Sequence, residues 1–163
     1  MKPFVKTVLL TGLLVGTTDI IAAYISTWIR SGHFPNKLLH YIAGGLLGLE
    51  PAMAGGVGTA LLGLCTHYFI AMMWTLFFFV VAPRLRLTSF NPYVIGFFYA
   101  VFVGSMMNYV ILPLTPLPTG GGFQLLPSLI GWSVLSIVLG IPIAVSARRF
   151  YRAGVTGETR MSV

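Results

Sequence analysis

Four stretches of about twenty or more apolar residues, each nearly free of charge, constrain this chain more than any motif in it. A bilayer core of ~30 Å is crossed by about 20 apolar residues in a helix. The stretches at residues 7–29, 58–82, 93–112 and 127–147 meet that length. Every backbone polar group inside a bilayer must be satisfied within the protein, so such stretches are read as helices. A soluble domain of 163 residues needs about a quarter of them charged. Here only 8% are, and the acids number three: Asp19, Glu50 and Glu158. The expected fold is therefore all-α: a polytopic membrane protein, one domain over residues 1–163, built as a four-transmembrane-helix bundle.

Boundaries follow from local chemistry. Ser31-Gly32-His33-Phe34-Pro35 ends the first span. Residues 36–48 then read as a short helix capped by Asn36 and ending near Glu50-Pro51. At ~20 Å it is too short to span, so it is expected to be interfacial or re-entrant between helices 1 and 2. Pro83 with Arg84 and Arg86 stops the second span, and Asn91-Pro92 starts the third. Pro113, Pro116 and Pro118 with Gly120-Gly121-Gly122 make an irregular loop. Pro127 suits a first helical turn, and Pro142 is expected to kink the fourth span. The basic tail, residues 148–163, reads as frayed. Lys2 and Lys6 ahead of an apolar run invite a signal-peptide reading. Thr17-Thr18-Asp19 interrupts that run and no suitable small-residue cut follows, so a retained helix is expected.

Charge placement gives an orientation. Lys2, Lys6, Arg84, Arg86, Arg148, Arg149, Arg152 and Arg160 fall on one side of the four-span topology, and Arg30 and Lys37 on the other. The positive-inside rule then puts both termini in the cytoplasm, in a bacterial inner (plasma) membrane. The net charge of +7 serves topology and contact with membrane lipids, so no nucleic-acid partner is expected. Cys65, the lone cysteine, allows no intrachain disulfide and reads as a small packing residue.

Small residues recur at spacings of four in every span: Gly12 and Gly16; Gly55, Thr59 and Gly63; Gly96, Ala100 and Gly104; Ser136, Gly140 and Ala144. Spacing of four lays them along one helix ridge, and small residues let helix backbones approach closely in lipid. Helix packing is the expected role, with a lined cavity or an oligomer seam as alternatives. The rows lead to the scarce polar groups at membrane depth. Asp19 lies nine residues in from Trp28, ~13 Å below the interface. His67 lies at similar depth, nine residues past Gly58, and Asn108 is somewhat shallower. A carboxylate there costs ~2.5–3.5 kcal/mol on insertion scales, so it should turn inward. The expectation is a cluster of Asp19 and His67 with Asn108 and Thr66 or Thr18 nearby.

Structural glue, a polar solute or proton site, and haem or metal ligation are the readings of that cluster. His67 with Met106 or Met107 makes an axial pair on paper. Membrane b-type sites usually carry more than one buried histidine, and His33 and His40 fall at the outer interface. No metal site and no cofactor are expected. No nucleotide loop or nucleophile elbow is present. A Ser–His–Asp set drawn from Ser105 or Ser136, His67 and Asp19 is indistinguishable from chance, so no catalytic residue and no enzymatic activity are expected.

The segments Gly16-Thr17-Thr18-Asp19-Ile20-Ile21-Ala22-Ala23, Tyr41 to Gly48, Gly55 to Ala71 and Met107 to Pro113 resemble a bacterial four-helix inner-membrane protein family with no established activity. The resemblance covers residues 11–149. It implies the hairpin with an intervening short helix and puts Asp19, His67 and Asn108 at family positions. It implies no activity. Two functions stay open: a non-enzymatic accessory or scaffold component, as a homo-oligomer or within a larger membrane complex; and a small transporter or channel-like protein with an Asp19/His67 polar site. Four spans without an internal repeat favour the first.

Overall fold

The computed structural model describes residues 3–118 and 124–161, with side chains to residue 153. Lys2 and the Gly120-Gly121-Gly122 triplet lie outside the described residues. Helix α1 covers Pro3–Ser31, the short helices α2 and α3 cover Leu38–Leu47 and Leu49–Ala54, and α4 covers Val57–Arg84. Helix α5, Pro92–Met106, continues through a π-helical turn, Met107–Ile111, and a 3-10 turn, Leu112–Leu114. Helix α6, Leu125–Leu135, passes through a second π-helical turn, Ser136–Gly140, into α7, Ile141–Met161. No strand occurs among the described residues. Four spans, Pro3–Ser31, Val57–Arg84, Pro92–Leu114 and Leu125–Ala153, are long and apolar enough to cross a membrane. The all-α, multi-pass architecture read from the apolar blocks is thus the one observed.

Several local expectations are corrected. Asn36 does not cap α2: Lys37 occupies the cap position and no side chain bonds the helix end. The Phe34-Pro35 turn takes the first donors instead, with Asn36 N bonding Phe34 O and Leu38 N bonding Pro35 O. Glu50-Pro51 does not end the short helix but opens α3. Gly48, at φ +88°, separates α2 from α3, a left-handed conformation that suits glycine. Pro51 sits in the first turn of α3, where its missing N–H is harmless. Gly55 precedes α4 and closes α3, so it belongs to no spanning row. Cys65 is exposed. Two residues from buried Gly63, at 100° each, it falls on the opposite face of α4. The tail is not frayed at Arg148: α7 runs on to Met161, since extending a formed helix costs little compared with starting one. Asn91 and Pro127 behave as read. Asn91 Oδ1 accepts from Tyr93 N at 2.9 Å, and Pro127 lies in the first turn of α6.

Close approaches set the bundle. A Cβ on Gly12 would stand 2.6 Å from Met72 Sδ, and one on Gly16 would stand 2.7 Å from the Tyr68 ring, so α1 and α4 run antiparallel in tight contact. On Gly63 a Cβ would strike the Leu39 carbonyl of α2. On Gly96 it would lie 2.6 Å from Ile141 Cα, and on Gly140 it would strike the Gly96 carbonyl. Gly104 faces Trp132 at 2.8 Å by the same measure. Ala100 and Ala144 are buried between these helices, as is Ser136, whose hydroxyl donates to Trp132 O at 2.6 Å. Thr59 packs beside Gly55.

The main core, built around Val15, Phe79, Val103 and Ile143, fills the half of the bundle that carries both termini. A smaller contact on the other, distal half joins Ala43, Gly44 and Ala52 of α2 and α3 to Leu117. Helix α6 has no buried residue, and neither does the π-helical turn Met107–Ile111. Packing is therefore concentrated on the terminal side.

Candidate functional site

Asp19 and His67 lie at the boundary between the packed half and the distal half. On α1 the buried residues Val8, Thr11, Gly12, Val15, Gly16 and Ile20 trace one stripe, and half-buried Asp19 continues it. Gly16 is the reason α4 comes so near. With no side chain there, the Tyr68 ring packs on the α1 backbone, and Tyr68 OH meets Thr17 Oγ1 at 2.8 Å. The neighbouring His67 then reaches the Gly16 carbonyl, with Nε2 at 2.8 Å from the oxygen. A carbonyl only accepts, so Nε2 carries the hydrogen. The imidazole also stands edge-on to the Tyr68 ring, centroids 5.7 Å apart.

Asp19 follows Gly16 by three residues, one turn along the same face. Its carboxylate and the His67 imidazole are near enough for their charges to interact. Among the described residues no direct hydrogen bond or ion pair joins them. A carboxylate beside an imidazole in low dielectric can share one proton or neutralise charge as a pair.

The other three polar residues go elsewhere. Thr66 Oγ1 donates to Leu62 O at 2.8 Å, within its own helix. Asn108 is exposed, and its amide donates to Gly104 O at 2.7 Å, where α5 widens into the π-helical turn. Thr18 turns to the π-helical turn ahead of α7, donating to Val138 O at 2.8 Å. His33 is exposed and bonds Ser31 O through Nδ1 at 2.9 Å. His40 is half-buried on α2, with its Nδ1 enclosed and without a hydrogen-bond partner. Among the described residues no three His, Cys, Asp or Glu side chains gather at metal-binding distance.

The Thr18 bond belongs to a pattern. Proline has no N–H, so a proline inside a helix leaves the carbonyl four residues earlier without its usual donor. Pro142 does this to Val138, and Thr18 of α1 supplies the missing hydrogen. Pro83 does it to Phe79, and Tyr151 OH of α7 donates to Phe79 O at 2.6 Å. Cross-helix hydroxyls of this kind are how spanning helices tolerate proline. Two further polar contacts knit the bundle: Tyr99 OH donates to Trp74 O at 2.6 Å, and Thr11 Oγ1 meets Ser146 Oγ at 2.7 Å. Tyr68, Tyr99, Tyr151 and Ser146 were not singled out from the chain. The signal the chain does hold is the two prolines, each of which opens a carbonyl four residues earlier; nothing local names the hydroxyls that meet them.

Comparison with protein-family models, with curated proteins and with solved structures finds no match to this chain.

Proposed function

We propose that the protein is a non-enzymatic accessory or scaffold component of a bacterial inner membrane, with both termini in the cytoplasm, whose own spans pack together through their small-residue faces. One observation carries the reading. Two of the polar side chains at membrane depth tie spanning segments to one another, His67 through Gly16 O and Thr18 through Val138 O. Hydrogen bonds between spanning helices of this kind stabilise association by ~0.6–2 kcal/mol each. A sparsely packed α6 leaves an apolar face for lipid or for another membrane subunit.

The test is Asp19→Ala in the full chain, scored for folded yield, for assembly on native gels, and for pH-dependent ion flux in proteoliposomes. Lower yield or lost assembly, with no flux in the parent protein, agrees with the accessory role. Unchanged folding together with loss of a flux that the parent protein carries overturns it.

That second outcome defines the other reading, a small transporter or channel-like protein. It draws on one fact: Asp19 has no hydrogen bond to protein among the described residues and stands within electrostatic reach of His67. Orientation has its own test. Leu114 is exposed, and in a Cys65→Ser background Leu114→Cys should react with a membrane-impermeant maleimide added outside the cell. Labelling from the cytoplasmic side alone contradicts the topology.

A further inference from the structure

A cleft of about 500 Å³ opens on the terminal side between α1 and α7. Helix α1 runs antiparallel to α7 and the π-helical turn before it, with Thr18 on Val138 and Thr11 on Ser146 at successive levels. Leu14, Pro142 and Phe150 give the cleft apolar walls, and Thr7, Ser146 and Arg149 give it polar ones. Along the helix axes Thr7, Arg149 and Phe150 fall at one end of the cleft and Leu14 and Pro142 at the other, with Ser146 between them. Arg149 lies seven residues from Pro142, and Thr7 seven from Leu14, about 10 Å in each case. One end therefore offers a guanidinium at the membrane boundary, and the other runs into the hydrocarbon zone beside Leu14, which is 57% exposed.

The hydroxyl chemistry fits an anion at the polar end. Thr11 is buried, and Ser146 is the partner of its hydroxyl. When Thr11 donates to Ser146 Oγ, the Ser146 proton is free to point into the cleft beside Arg149. Guanidinium groups bind phosphate through two parallel N–H donors. The surrounding charge has one sign. Lys6, Arg84, Arg86, Arg148 and Arg152 lie on the same side of the bundle. Among the described side chains the acids stand apart: Asp19 is twelve residues, ~18 Å, along α1 from Thr7, and Glu50 is on distal α3.

We infer that this cleft binds one anionic phospholipid, with the phosphate at Arg149 and Ser146 and an acyl chain laid along Leu14 and Pro142. A zwitterionic lipid shares the chain and the phosphate but lacks the net charge that this basic end selects. A soluble phosphate ester shares the headgroup chemistry but leaves the apolar part of the cleft uncovered.

Native mass spectrometry of the detergent-purified full chain, equilibrated with phosphatidylglycerol or phosphatidylcholine, reads the selectivity. Phosphatidylglycerol should bind about fivefold more tightly, the factor that one arginine contributes at an anionic surface. Arg149→Gln should erase that preference, while Arg152→Gln, at the same end but outside the cleft, should leave most of it. Leu14→Trp, which fills the cleft without changing charge, should weaken both lipids. Both Arg149 and Leu14 are exposed, so their replacement leaves the core packing in place. Equal binding of the two lipids overturns the inference. So does an equal effect of the two arginine variants, which is diffuse surface attraction. Displacement of the lipid by millimolar glycerol 3-phosphate, with no effect of Leu14→Trp, overturns it in favour of a soluble anion.

Discussion

Replacing Thr18 by valine preserves the volume and branching of the side chain and removes a single hydroxyl. That hydroxyl approaches three carbonyls: Leu14 at 3.0 Å, Val15 at 3.1 Å and Val138 at 2.8 Å. The first two already have donors in the α1 ladder. Val138 lacks the i+4 donor of an α-helix, because residue 142 is proline. The loss is therefore of two kinds. An interhelical hydrogen bond in a membrane protein contributes ~0.6 kcal/mol on average and up to ~1.7. A buried acceptor left unsatisfied costs ~1–3 kcal/mol. Thr18→Val should then destabilise the bundle by about 1.5 kcal/mol, toward the upper end of the membrane range. Equilibrium unfolding in mixed micelles, or steric trapping in bicelles, measures it. The decisive comparison is a double-mutant cycle with Pro142→Ala, which restores an N–H at residue 142. In that background Thr18→Val should cost less by about 1 kcal/mol, and the contribution of Thr18 to its own helix cancels across the cycle. An equal cost in both backgrounds would refute the argument that the proline makes the hydroxyl necessary.

Tyr151→Phe should likewise destabilise by about 1 kcal/mol, and the cost should shrink when Pro83→Ala gives Phe79 O a backbone donor; the same unfolding assay reads both. Gly140→Ala should cost about 1–3 kcal/mol because its Cβ meets the Gly96 carbonyl, whereas Gly131→Ala, with open space around it, should be neutral or stabilising by up to about 1 kcal/mol. Thermal unfolding of the two variants side by side separates close packing from helix propensity. Arg148 has its Nε enclosed without a partner near Phe78, Leu87 and Ala144. Arg148→Met should therefore leave stability unchanged or raise it, measured by the same unfolding midpoint.

The four spans, the Asn91 cap and the place of Pro127 were legible in the chain because each depends on a few neighbouring residues. Transfer of a segment from water to lipid is close to a sum over its own side chains, and a cap or a first-turn proline acts within one turn. Tertiary structure decided the rest. Which hydroxyl meets an open carbonyl depends on the register between helices far apart in sequence, as with Thr18 and Val138 or Tyr151 and Phe79. The same register sent Asn108 and Thr66 back to their own helices and turned Cys65 outward. It also opened the cleft between α1 and α7, whose seven lining residues are split between the two ends of the chain. Local energies choose the segments; only their mutual packing chooses the partners.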